Sequence, residues 1–208
     1  MKMKRTVTIL LIATLGILSA CAPSTERVLG ESSNTYLLQR GLFERDAAFI
    51  IQNADTNLDV YRVEPPAISL RDSLVIKDVR GPTLGRIVRR VLTVTPVFEI
   101  YREDEQVTSL GQNLSDVLAN VLVGDSVGDR FTVTTTDGSP NLEIRGNVFD
   151  LDYDILREGE RVAHVSQGAF TRNYFVEVAQ GQDDVLALET VIALNELTAA
   201  QREANSSE

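Results

Sequence analysis

The stretch DDVLALETVIALNEL, Asp183–Leu197, limits the fold more than any other part of the chain. Acidic N-cap candidates open it, and apolar residues then cover most of a helical circumference, with Glu189 and Glu196 confined to one narrow stripe. At 1.5 Å per residue such a helix is roughly 20 Å long, whereas a membrane span needs about 20 apolar residues. A helix that is apolar on nearly every side and too short to cross a bilayer must be enclosed by protein. The rest of the chain has to supply the container.

That remainder is a series of short β-like runs from near Tyr36 to about Val178: AFIIQN, LDVYRV, SLVIKDV, GRIVRRV, VFEIY, RFTVTT, LEIR, FDLDYDIL, RVAHVS and YFVEV. Turn chemistry separates them at Asn57, Pro65-Pro66, Arg80-Gly81-Pro82, Asp137-Gly138, Gly146-Asn147 and Glu158-Gly159. Only NLSDVLANVLV, Asn113–Val123, is ambiguous between helix and strand. Many short strands at close spacing predict a mainly β antiparallel barrel or sandwich. A weak internal repeat sharpens this. Gly81–Arg89 matches Gly159–Gln167 in pattern, and at the same offset Phe98-Glu99-Ile100 matches Val176-Glu177-Val178, which suggests two similar β units in one body.

The N-terminus carries an address. Lys2, Lys4 and Arg5 precede an apolar run from Thr6 to Leu18, and small residues lead to Cys21. This is the pattern of a secretory signal peptide. Leu18-Ser19-Ala20-Cys21 resembles the bacterial lipobox, which implies that Cys21 becomes a lipid-modified N-terminus. Cys21 is the sole cysteine, so neither a disulfide nor a thiolate metal site competes for it. Two acyl chains would attach the protein durably where one would not. The expected organisation is a leader over 1–20, a lipidated flexible tether over 21–35, a barrel domain over 36–198 and a polar tail over 199–208. The expected location is extracytoplasmic and membrane-anchored. In a host with two membranes, Ala22 after the cysteine matches sorting to the outer membrane, facing the periplasm. Loss of the leader takes the formal charge from −10 to about −13, which disfavours nucleic acid and anionic lipid as partners.

Strands closing around a hydrophobic C-terminal helix is also the plan of the tubby C-terminal-like superfamily, and this chain resembles its LURP-one-related branch. The resemblance lies in IKDVRGPTLGRIVRR (Ile76–Arg90), EIRGNVFDLDYDILREGERVAHVSQ (Glu143–Gln167) and NYFVEVAQGQDDVLALETVIALNE (Asn173–Glu196), and extends over about Tyr36–Leu197. It implies a closed antiparallel barrel of about twelve strands around a central C-terminal helix. It also implies distant kinship with phospholipid scramblases and tubby proteins, and it does not imply an enzyme. Two departures stand out. Tubby proteins hold phosphoinositides on a basic face, whereas this chain is acidic with Lys77 its one lysine beyond the leader. Scramblases carry palmitoylated cysteine clusters, whereas here one cysteine sits at the processing site.

Three groups could carry chemistry. Asp150, Asp152 and Asp154 alternate with Phe149, Leu151, Tyr153 and Ile155, as on the wet face of one strand. Carboxylates spaced roughly 6.8 Å apart along a strand do not curl around calcium, so these are weak metal candidates and no metal or cofactor is expected. Arg145 or Arg161 could relieve their mutual repulsion. His164, the single histidine, occupies the repeat slot of Arg86 and reads as a polar strand position. Arg86, Arg89 and Arg90 form the densest basic cluster and are candidates for contact with an anionic ligand, against a reading as strand-edge charge. No phosphate loop, nucleophile elbow or zinc-protease motif is present. The expectation is a lipid-anchored envelope protein whose barrel binds or scaffolds without catalysis, with an envelope protein or a phospholipid as partner. Scramblase-like lipid handling is the alternative and a carboxylate-based hydrolase the third reading.

Overall fold

Twelve strands form one closed barrel with every neighbouring pair antiparallel, in the computed structural model of residues 33–40, 48–65, 73–90, 97–110, 130–168 and 173–206. The expected leader, Cys21 and the ambiguous segment Asn113–Val123 lie outside the described residues. The strands are β1 (Ser33–Arg40), β2 (Phe49–Asn53), β3 (Leu58–Glu64), β4 (Ser73–Asp78), β5 (Thr83–Arg90) and β6 (Val97–Arg102) in the first half. In the second half they are β7 (Glu105–Leu110), β8 (Arg130–Thr135), β9 (Leu142–Asn147), β10 (Asp152–Arg157), β11 (Glu160–Gln167) and β12 (Tyr174–Ala179). The barrel closes where β1 pairs with β12, from Ser33 opposite Ala179 to Leu38 opposite Tyr174.

Each strand alternates between the two faces of the wall, and the inward set builds the core. Leu38, Phe49, Ile51, Val63, Ile76, Ile87, Ile100, Ile144, Ile155, Val165 and Val176 are all essentially inaccessible. Their partner is α1 (Asp184–Ser206), whose Leu188, Val191, Ile192, Ala193 and Leu194 are likewise inaccessible. The enclosed helix demanded by its own sequence is therefore observed. It packs on β5 and β6 to one side and on β11 and β12 to another. The helix runs past Leu197 to Ser206, because Ala199, Ala200, Gln201, Arg202, Glu203 and Ala204 all favour helix or tolerate it well.

The strand-to-strand register shifts at Ile51/Gln52, Ile76/Lys77, Ile100/Tyr101 and Ile155/Leu156. Each shift follows a fully buried isoleucine in the first strand of a hairpin. Such bulges add twist and bend, which helps a sheet curl shut. In an up-and-down barrel these hairpins all turn at the same end, here called the base. The link from β12 to α1 lies there too, so the helix enters at the base and finishes at the opposite mouth.

Two strands, β1 and β7, are missing from the expected runs. In SNTYLLQR and EQVTSL only Tyr36 with Leu38, and Thr108 with Leu110, are buried, so the apolar alternation is too short to register. FDLDYDIL needs a correction: β10 begins at Asp152, and Phe149 to Leu151 form a turn. Leu151 has φ of 55°, which breaks the extended phase. Asn147 fastens that turn by accepting from the Asp150 N–H at 3.0 Å and donating to the Asp150 carboxylate at 2.6 Å. The expected repeat falls on β5–β6 and β11–β12, six strands apart in the barrel. The registers of the two pairs differ, since Ile87 faces Ile100 while its counterpart Val165 faces Val176.

Candidate functional site

The base of the barrel holds a charge cluster whose innermost member, Glu189, is fully buried. Asp183 precedes α1 and caps it, accepting from the Leu186 N–H at 2.9 Å. Its carboxylate also takes both arms of Arg102, from the end of β6, at 2.5 and 2.9 Å. Burial pushes the Asp183 carboxyl up, but the Arg102 hydrogen bond and the helix N–H groups outweigh it and hold the group below its ordinary range. One and a half turns up the helix, Glu189 lies 3.5 Å from the same guanidinium with no exposed surface. Neither Glu189 oxygen has a hydrogen-bond partner. Burial therefore dominates and pushes its carboxyl up to about 8, with Arg102 pulling down and Asp183 adding to the rise.

Room for Glu189 comes from Gly85 on β5. A β-carbon there would stand 1.9 Å from Glu189 Oε1 and 3.2 Å from the Tyr101 carbonyl oxygen. Next to the cluster, Asp184 accepts from Tyr36 Oη at 2.7 Å and from Asn34 Nδ2 at 2.9 Å, which ties the start of the helix to β1. Burial, followed by that bond to a carboxylate, raises the Tyr36 phenol well above its ordinary value. These groups lock the helix to the wall, and the charges face one another.

The mouth is different. There the C-terminal part of α1 and the upper ends of β1, β3, β4, β5 and β6 leave a pocket of about 390 Å³. Ile87 and Phe98 are buried within its lining, and Leu74, Pro65, Ala199 and Ala200 supply further apolar surface. Its polar groups are Arg40, Arg89, Ser73 and Glu196. Arg40 stands 3.5 Å from Glu196 and lies over the Phe49 ring at 5.8 Å from its centroid. The stripe of acids on the helix thus joins base and mouth, with Glu189 sealed at one end and Glu196 partly open at the other.

The structure separates the expected basic cluster. Arg86 points outward, 3.2 Å from Asp104 and over the Tyr101 ring. Arg90 is also outward and pairs at 2.7 Å with Glu99, which further accepts from Tyr101 Oη. Arg89 alone lines the mouth pocket, where it is joined by Arg40. The three aspartates are not one array, since Asp150 belongs to the turn and Asp152 is exposed at the start of β10. Asp154 meets His164 Nδ1 at 3.0 Å across the β10–β11 pair, while Arg145, in register with Asp154, turns to Glu143 at 3.1 Å. Among the described residues, no three His, Cys, Asp or Glu side chains gather as a metal site would require. Nor is any helix among them long and apolar enough to cross a membrane.

Arg40 and Arg102 were not singled out by the sequence, because each lies on a strand far along the chain from its partners at the helix. The signal available was indirect: acids on an otherwise apolar buried helix require partners from the wall.

A family model described as LURP-one-related matches residues 35–195. Among solved structures, the chain is similar to the X-ray structure of a protein from Arabidopsis thaliana, with a TM-score of 0.53 and 14% identity over 81% of this chain and 93% of that one. At that identity the likeness concerns the fold alone. Among curated proteins, none matches the chain.

Proposed function

We propose, from the premise that the chain belongs to the LURP-one-related family, that it is a lipid-anchored envelope protein whose barrel binds a small ligand or partner group at its mouth without chemical turnover. The observation that carries the binding reading is the mouth pocket. The helix fills the barrel's interior with apolar side chains, while the mouth keeps about 390 Å³ of space lined by both apolar side chains and charged groups. Small-molecule sites have that size. The base cluster supports the same division of labour, because Asp183, Arg102 and Glu189 are engaged with one another and with the helix end.

The anchoring part of the reading rests on the leader-like N-terminus and the lone Cys21. Full-length protein recovered from cell envelopes should carry a small molecule detectable by native mass spectrometry. Ala199→Phe, which fills the pocket from the helix side, should lose it while melting normally. Identical spectra from the two proteins would refute binding at the mouth.

A further inference from the structure

We infer that Arg102 is a two-position latch between two carboxylates: it holds Asp183, and with it the start of α1, while Glu189 keeps its proton, and it moves onto Glu189 when that proton is lost. This device lies at the base and is independent of binding at the mouth.

The shape of the guanidinium opens this move. Its planar fork has two edges, each able to meet a carboxylate with a pair of N–H groups. Asp183 takes the Nη1–Nη2 edge of Arg102, at 2.5 and 2.9 Å. The Nε–Nη2 edge is not taken, since Nε is buried without a partner and Nη2 stands 3.5 Å from Glu189 Oε2. Both oxygens of Glu189 also lack a hydrogen-bond partner. The unmade bonds of the base therefore belong to the same two side chains. Because the fork is rigid, closing the gap to Glu189 draws Nη1 away from Asp183.

The two carboxylates have unequal alternatives. Asp183 is 40% exposed and accepts from the Leu186 N–H, so water and the helix end can satisfy it without Arg102. Glu189 has no exposed surface, and an ionised carboxylate sealed in a core has to be paired. Among the described residues that face it, Arg102 from β6 is the one cation. Gly85 on β5 brings no side chain, and its neighbour Arg86 turns outward to Asp104. The other strands packed on α1, β11 and β12, contribute buried apolar side chains such as Val165 and Val176. On β1, Tyr36 is bound to Asp184, and Asp183 itself repels a second negative charge. Burial places the proton loss at about pH 8. Above it, α1 is gripped at its middle and released from the wall at its start.

The test is a double-mutant cycle between Arg102→Gln and Asp183→Asn, read by urea unfolding of the full-length protein at about pH 6.5 and about pH 9.5. Asparagine keeps the helix cap, so the cycle isolates the contact with Arg102. Coupling should change the unfolding constant about ten-fold at the lower pH and about two-fold or less at the higher. In a Glu189→Gln background it should stay about ten-fold at both. The NMR signal of the Arg102 Nε–H gives a second reading that needs no change at Arg102. It should move downfield as pH passes about 8 in the wild type, on gaining a carboxylate partner, and stay in place in Glu189→Gln. Should Arg102→Gln fail to fold, this signal alone decides. The latch is overturned if the coupling persists at the higher pH, if it falls equally in Glu189→Gln, or if the Nε–H signal does not move.

Discussion

Glu189 shows most clearly how one residue ties stability to pH. Its folded pKa of about 8 stands above the ordinary 4.5, so the folded chain keeps a proton that the unfolded chain releases. Its contribution is complete below about pH 4.5 and is lost as pH rises toward about 8, a change of at most a few kcal/mol. Asp183 acts in the opposite sense: its lowered pKa gives a contribution present above the ordinary carboxylate range and lost as pH falls. Urea denaturation should therefore show stability declining between about pH 5 and 8, and Glu189→Gln should flatten that limb. Equal slopes in the two proteins would contradict the assignment. Gly85→Ala should cost about 1–3 kcal/mol by overpacking against Glu189. Adding Glu189→Ala should return part of it, and strict additivity in that double-mutant cycle would show that the contact does not matter. The sequence shows that Glu189 shares a stripe with Glu196, yet neither Arg102 nor Gly85 can be inferred as its neighbour, because cross-wall proximity depends on register.

At the scale of elements, the helix is the most legible part of the molecule and its closing turns the least. Apolar coverage alone required enclosure, and Leu188, Ile192 and Leu194 are accordingly inaccessible. Leu188→Ala or Leu194→Ala should lower unfolding free energy by about 2–5 kcal/mol, as cavities in a packed core do. Ile192→Asp should give no cooperative melting transition, because its carboxylate would be buried without a partner. Values below about 1 kcal/mol for both leucine variants would mean that the helix is only loosely held. The strands were legible where several inward residues alternate, as in YFVEVA, and illegible where two suffice, as in β1 and β7. FDLDYDIL misleads for another reason: alternation survives through Leu151 although the backbone there is left-handed. Gly146 makes that turn possible, since at φ of 127° a β-carbon would come within 2.6 Å of the Asp152 carbonyl oxygen.

For the whole molecule, the barrel and its central helix were readable from pattern and resemblance together, whereas pattern alone left barrel and sandwich open. The pocket was not readable, because Arg40, Arg89 and Glu196 come from β1, β5 and α1. The proposed attachment has its own test: Cys21→Ala should shift the protein from the membrane fraction to the soluble fraction or leave it unprocessed. Unchanged fractionation and processing would exclude Cys21 as the anchor. A last consequence concerns the order in which the chain is made. The segment that fills the core is synthesised after all twelve strands, and the closing seam joins β1 to β12, nearly the two ends of the described chain. Eleven strands can emerge from a ribosome without meeting either their filling or their closing partner. Until residues near Leu194 arrive, the inward leucines, isoleucines and valines have only water, one another or a chaperone to contact. Maturation is therefore all-or-none in chain length. A chain ending before Asp184 should aggregate or be degraded rather than survive as a partial barrel, and a soluble, protease-resistant fragment of that length would show that the wall can stand without its filling.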